Sequence, residues 1–151
     1  MKALRIPIAV LLVVVLACVG LAQAAHPKKS KFVVSATMSG NKVVANGDPD
    51  AKGKASLTFK KKKDRVCFDI DYSGMSTATR GVLGEGKKHE RGDNILTLFS
   101  LSKESPAKGC LRALNKNTID DIERRPKDFF VTLENKDHPD GAVRGQLRDR
   151  S

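Results

Sequence analysis

Residues 128–148 constrain the fold of this chain more than any other stretch. Phe129, Val131 and Leu133 alternate with Phe130, Thr132 and Glu134, and His138-Pro139-Asp140-Gly141 then precedes Ala142 to Leu147. Successive side chains of a strand point to opposite faces, so a period of two sends the first set into a core and leaves the second wet. Pro139, with its fixed φ, suits the second position of a type I turn, and Gly141 suits the fourth. The stretch therefore predicts a β-hairpin, and no reactive group follows from it.

The same pattern recurs upstream. Phe32 to Met38 is rich in β-branched residues and reads as the first strand, ended by Ser39-Gly40-Asn41. Lys42 to Lys54 reads as a loop. Ala55, Leu57 and Phe59 alternate with Ser56, Thr58 and Lys60, and Val66, Phe68, Ile70 and Tyr72 share one face of the next run, predicting a hairpin with Lys60 to Lys63 at its tip. Met75 to Asp93 reads as a loop broken by Gly81, Gly84, Gly86 and Gly92, Ile95 to Leu101 as a buried strand, and Lys103 to Gly109 again as loop. One short helix is expected: Thr118 caps it, Asp120 and Asp121 lie near its N-terminus and Arg124 and Arg125 near its C-terminus, and Pro126 stops it.

The N-terminus is not expected to be part of the fold. Lys2 and Arg5 precede the apolar run Ile6 to Leu21, and Ala22-Gln23-Ala24 supplies the small residues a signal peptidase reads, so residues 1–24 are predicted to be a signal peptide. A membrane anchor is the competing reading, and a lipoprotein box at Val15-Leu16-Ala17-Cys18, lipidated at Cys18, a second. Cleavage leaves a flexible basic leader, 25–31, and a single domain, 32–149. It also removes Lys2 and Arg5, which takes 28 basic side chains to 26 against 17 acidic ones, a net charge of +9. Such an excess favours polyanions and says nothing about fold. If Cys18 leaves with the leader, Cys67 and Cys110 remain as a pair in an oxidising compartment, periplasmic or secreted, and a disulfide is predicted; two buried free thiols are the alternative.

Taken in order, these segments resemble the CHRD (chordin-type) domain of small exported bacterial proteins. The residues that carry the resemblance are Ala36-Thr37-Met38-Ser39-Gly40, Gly47-Asp48-Pro49-Asp50, Val66-Cys67-Phe68-Asp69-Ile70 with Tyr72-Ser73-Gly74, Gly109-Cys110, Ile119-Asp120-Asp121-Ile122 with Arg125-Pro126, and the closing His138-Pro139-Asp140-Gly141-Ala142-Val143-Arg144-Gly145-Gln146-Leu147. The resemblance implies an all-β fold, an antiparallel Greek-key β-sandwich of immunoglobulin-like or superoxide-dismutase-like kind with one short helix. The chain departs from the family where members carry a His-x-His triplet, here Val82, Leu83 and Gly84, and a further His, here Glu134. Two imidazoles one residue apart on a strand share a face and suit a shared metal, so these departures argue against a metal role.

Little else carries chemistry. His26, His89 and His138 fall in leader, loop and turn, with no ligand spacing to Cys, Asp or Glu. Asp69 and Asp71 form a same-face carboxylate pair that suits acid–base work or a cation less well than it suits a solvated face with Lys and Arg partners. Arg91-Gly92-Asp93 spells an adhesion tripeptide, which three residues reproduce by chance. No nucleophile elbow or Gly-rich phosphate loop is present in the sequence. The expectation is a non-enzymatic exported binding or structural module of the cell envelope, without cofactor, catalytic or metal residues. Its partner would be a protein, anionic glycan or lipid, contacted through Lys60, Lys61, Lys62, Lys63 and Arg65; the lack of interleaved aromatics argues against nucleic acid. The alternative is a metal-binding or redox protein on a superoxide-dismutase-like sandwich.

Overall fold

The computed structural model describes residues 30–112 and 114–150. The predicted signal peptide, Cys18 and most of the basic leader lie outside them. The described residues form β1 (Lys31–Ser39), β2 (Lys52–Lys60), β3 (Arg65–Ser73), β4 (Arg80–Glu85), β5 (Asp93–Phe99), β6 (Ala107–Leu111), α1 (Lys116–Arg124), β7 (Phe129–Glu134), β8 (Val143–Gln146) and β9 (Arg148–Asp149). Every strand pairing is antiparallel, in the order β5-β4-β7-β8-β1-β2-β3-β6, with β9 also against β1. The non-consecutive neighbours β4–β7, β8–β1 and β3–β6 are the crossovers that make two hairpin stacks into a sandwich. The join is thin: β8 meets β1 at Ser39 opposite Arg144. There the sheet folds over, and β3 faces β5 with the Phe68 and Phe99 rings 5.9 Å apart.

The alternation read from the sequence fills the space between the layers. Val34, Leu57 and Phe68 lie side by side across β1, β2 and β3, as do Phe32, Phe59 and Val66, and all six are buried. The Phe32 and Phe59 rings stack at 4.8 Å. Leu57 is fully shielded, so truncating it to Ala would cost about 2–5 kcal/mol through lost transfer energy and the cavity left behind. The β2–β3 hairpin closes as expected with the lysines at its tip, Lys60 opposite Arg65. The β7–β8 hairpin also forms, Leu133 opposite Val143 and Thr132 opposite Arg144, with Gly141 N–H donating to His138 O at 3.1 Å.

Four expectations are corrected. The segment read as loop from Met75 to Asp93 contains β4, buried along most of its length. Its glycines are there for packing: a Cβ on Gly81 would sit 2.4 Å from the Phe99 ring, and one on Gly84 2.1 Å from the Phe130 ring. The loop read to Gly109 gives way to β6 from Ala107, with Cys110 directly opposite Cys67. The helix begins earlier than Thr118, because the Asn115 side chain is the cap and accepts from Thr118 N–H at 2.9 Å; its first turn holds no acid, which places Asp120 and Asp121 mid-helix. Lastly, β7 is not half wet, since Phe130 and Thr132 are buried as well as the core-facing Val131.

Candidate functional site

The predicted contact residues at the β2–β3 tip do not act alike. Residues Lys61–Lys63 make one 3-10 turn, closed by Asp64 in a left-handed conformation, φ 45°. Lys62 and Lys63 are exposed and Lys60 and Arg65 half-buried. Lys61 turns inward. Its ammonium donates to Asp120 at 2.8 Å and to Glu123, both on α1, and lies 5.6 Å from the centre of the Phe32 ring. Burial disfavours its charge, but the hydrogen bonds and charges of the two carboxylates outweigh that and raise its pKa. The tip thus offers Lys62 and Lys63 to a partner, while Lys61 fastens the helix.

A second region lies on the outward face of β4, β7 and β8. Val82, Phe130, Thr132, Glu134 and Arg144 floor a groove of about 390 Å³, with Val43 to Ala45 on one side and Arg91 to Asn94 on the other. Arg144 is the fixed point. It is 4% exposed, its guanidinium carbon stands 3.6 Å from the centre of the Phe130 ring, and it donates to Arg91 O at 3.1 Å and Lys87 O at 3.2 Å. Burial lowers its pKa, partly offset by Glu90. Val82 and Glu134, two of the positions where the resemblance places histidines, face this groove; Glu134 pairs with Arg80 at 3.1 Å. Leu83 points to the core.

The remaining candidates are structural in their contacts. Asp69 pairs with Lys108 at 2.9 Å on the outer face of β3, and that hydrogen bond, with the charge behind it, raises the lysine's pKa. Asp71 stands exposed beyond it. His138 ties the β7–β8 turn to the loop after β1, its Nδ1 3.0 Å from Asn46 O. Among the described residues no group of three or more His, Cys, Asp or Glu is placed to hold a metal ion, and no helix is long and apolar enough to cross a membrane. Cys67 and Cys110 are bonded to one another. The sequence reading gave Arg144 and Gln146 no function; Arg144 and, in part, Gln146 hold a loop more than 50 residues away, which no local spacing signals.

The described residues define an antiparallel β-sandwich bonded between Cys67 and Cys110. A model of the CHRD domain matches residues 34–147, and the chain belongs to that family. No curated protein and no solved structure matches it. CHRD domains are extracellular, and the disulfide fits an oxidising compartment. Family membership suggests a binding or structural module.

Proposed function

We propose that this protein is a non-enzymatic module, exported through cleavage of residues 1–24, that recognises polyanions at the cell envelope or beyond it. The observation that carries the reading is the β2–β3 tip, where Lys62 and Lys63 project into solvent without acidic partners among the described residues. Lys60 and Arg65 flank them across the register and add charge within reach of the same ligand. Charges gathered on a hairpin tip raise the local potential and the encounter rate with an anionic chain. Lys61 supports the site by anchoring the tip to α1 rather than by contact. The test uses heparin as the polyanion. Lys62→Ser combined with Lys63→Ser should elute from immobilised heparin at clearly lower salt than the native protein; elution at the same salt would sink the assignment.

A further inference from the structure

A second concentration of positive charge sits where β8 clamps the β4–β5 loop. Gln146 Nε2 donates to Gly86 O at 2.7 Å and to Lys127 O at 2.9 Å, and Arg144 holds the carbonyls of Lys87 and Arg91. Within the loop, Glu90 N–H donates to Lys87 O at 3.1 Å and Lys87 N–H to the Glu90 carboxylate at 3.0 Å. The turn so fixed carries Lys88 and His89, the latter with a left-handed backbone at φ 69°. Opposite them stand Arg148 of β9 and Lys42, whose ammonium donates to Thr37 O at 2.7 Å.

Lys42, Lys88, His89 and Arg148 line a pocket of about 190 Å³ together with Thr37 and Gln146. No carboxylate lines it, and none of Lys42, Lys88 or Arg148 makes an ion pair among the described residues. The crowding is felt: burial, then Arg148 and Lys88, holds the Lys42 ammonium below its ordinary pKa. Cations brought together by a fixed scaffold without an acid between them are in the arrangement that an anion completes.

We propose that Lys42, Lys88, His89 and Arg148 bind the sulfate or phosphate monoester of a sugar, at a site separate from the hairpin tip and not dependent on it. Convergent N–H donors suit the oxygens of a tetrahedral monoester. The sugar is argued from Gln146: its two amide protons are already given to Gly86 O and Lys127 O, so what it offers a ligand is an acceptor, Oε1. An acceptor beside cations repels a bare anion and matches an anion that carries hydroxyl groups next to it. Thr37 also lines the pocket, and its backbone carbonyl holds the Lys42 ammonium in place.

The test titrates the full disulfide-bonded protein, at low ionic strength, with glucosamine 6-sulfate and glucosamine 6-phosphate, and in parallel with inorganic phosphate and with phosphatidylglycerol vesicles. A sugar monoester should bind, shift the amide resonances of Lys88 and His89, and bind more tightly than inorganic phosphate. Lys42→Ser with Arg148→Ser should weaken it roughly tenfold or more. Lys88→Glu, at an exposed position, should abolish binding with an unchanged melting temperature, which separates loss of the site from loss of the fold. Lys62→Ser with Lys63→Ser should leave the sugar affinity intact even if heparin binding falls. The proposal is overturned if neither sugar ester binds, if inorganic phosphate binds as well, if only vesicles bind, or if the tip variant rather than the pocket variants removes the sugar.

Discussion

Arg144 is a buried charge that makes no ion pair within 4 Å among the described residues; Glu90 acts on it only through its charge. Taking an ion out of water costs several kcal/mol unless other groups replace the water, and guanidinium is the cation for which this is least severe. Here the replacements are two loop carbonyls along its edge and the face of Phe130 beneath it. The ring can lie flat there because β4 has no side chain at Gly84. Arg144→Lys keeps the charge but gives up the planar fork and the stacking, so it should destabilise the protein by about 1–3 kcal/mol in urea unfolding. A value within about 0.5 kcal/mol of the native protein would mean that the clamp contributes nothing measurable. The sequence showed Arg144 only as one member of a closing motif on a strand. The loop that covers it is remote in the chain, and no local pattern signals that it buries this side chain.

At the scale of elements, legibility followed the hydrophobic pattern. Strands with one apolar face, such as β2 and β3, were readable because Leu57 and Phe68 alternate with polar neighbours. β4 was not, because Gly81 and Gly84 make room for Phe99 and Phe130, and glycines selected for close approach look the same in sequence as glycines selected for turns. The tip lysines were readable as a charged turn but not as individuals. That Lys61 serves α1 depends on acids some 60 positions away. Its side chain is 9% exposed, and its ammonium pairs with both Asp120 and Glu123. Lys61→Met removes an ammonium that two carboxylates hold and should cost about 1–3 kcal/mol. The dependence on pH has a definite sign. Because the folded protein raises the Lys61 pKa, its contribution is complete below the unfolded lysine value of about 10.4 and is lost as pH rises through the higher folded value. The stability gap between native and Lys61→Met proteins should be flat from neutral pH to about 10 and close above it; a gap that closes on acidification to pH 6 would assign the effect to other groups.

Over the whole molecule, the vulnerable places in a folded-over sheet are its two ends, β5 and β6. An end strand presents unpaired N–H and C=O groups along one side and is held by one neighbour alone. β6 is short, Ala107–Leu111, and its register against β3 puts Cys110 opposite Cys67, so the disulfide sews the end strand to its neighbour. The two cysteines are 43 positions apart, and the segment between them holds β4 and β5, which belong to the facing layer. The bond therefore closes a loop that leaves one layer, builds part of the other and returns. On the chain-entropy account a loop of that length is worth about 4 kcal/mol against the unfolded state. Cys110 is exposed, which lets a small thiol reach the bond without global unfolding. Dithiothreitol under native conditions should thus reduce it and lower the urea midpoint by an amount equivalent to roughly 4 kcal/mol, and Cys67→Ser with Cys110→Ser should reproduce the shift. Hydrogen exchange should then show the amides of β6 losing protection before those of β7 and β8, which are bonded on both sides within the sheet. Equal midpoints with and without reductant, after mass spectrometry has verified reduction, would show that the β3–β6 pairing holds the edge unaided and that the bond only records the compartment in which the protein matures.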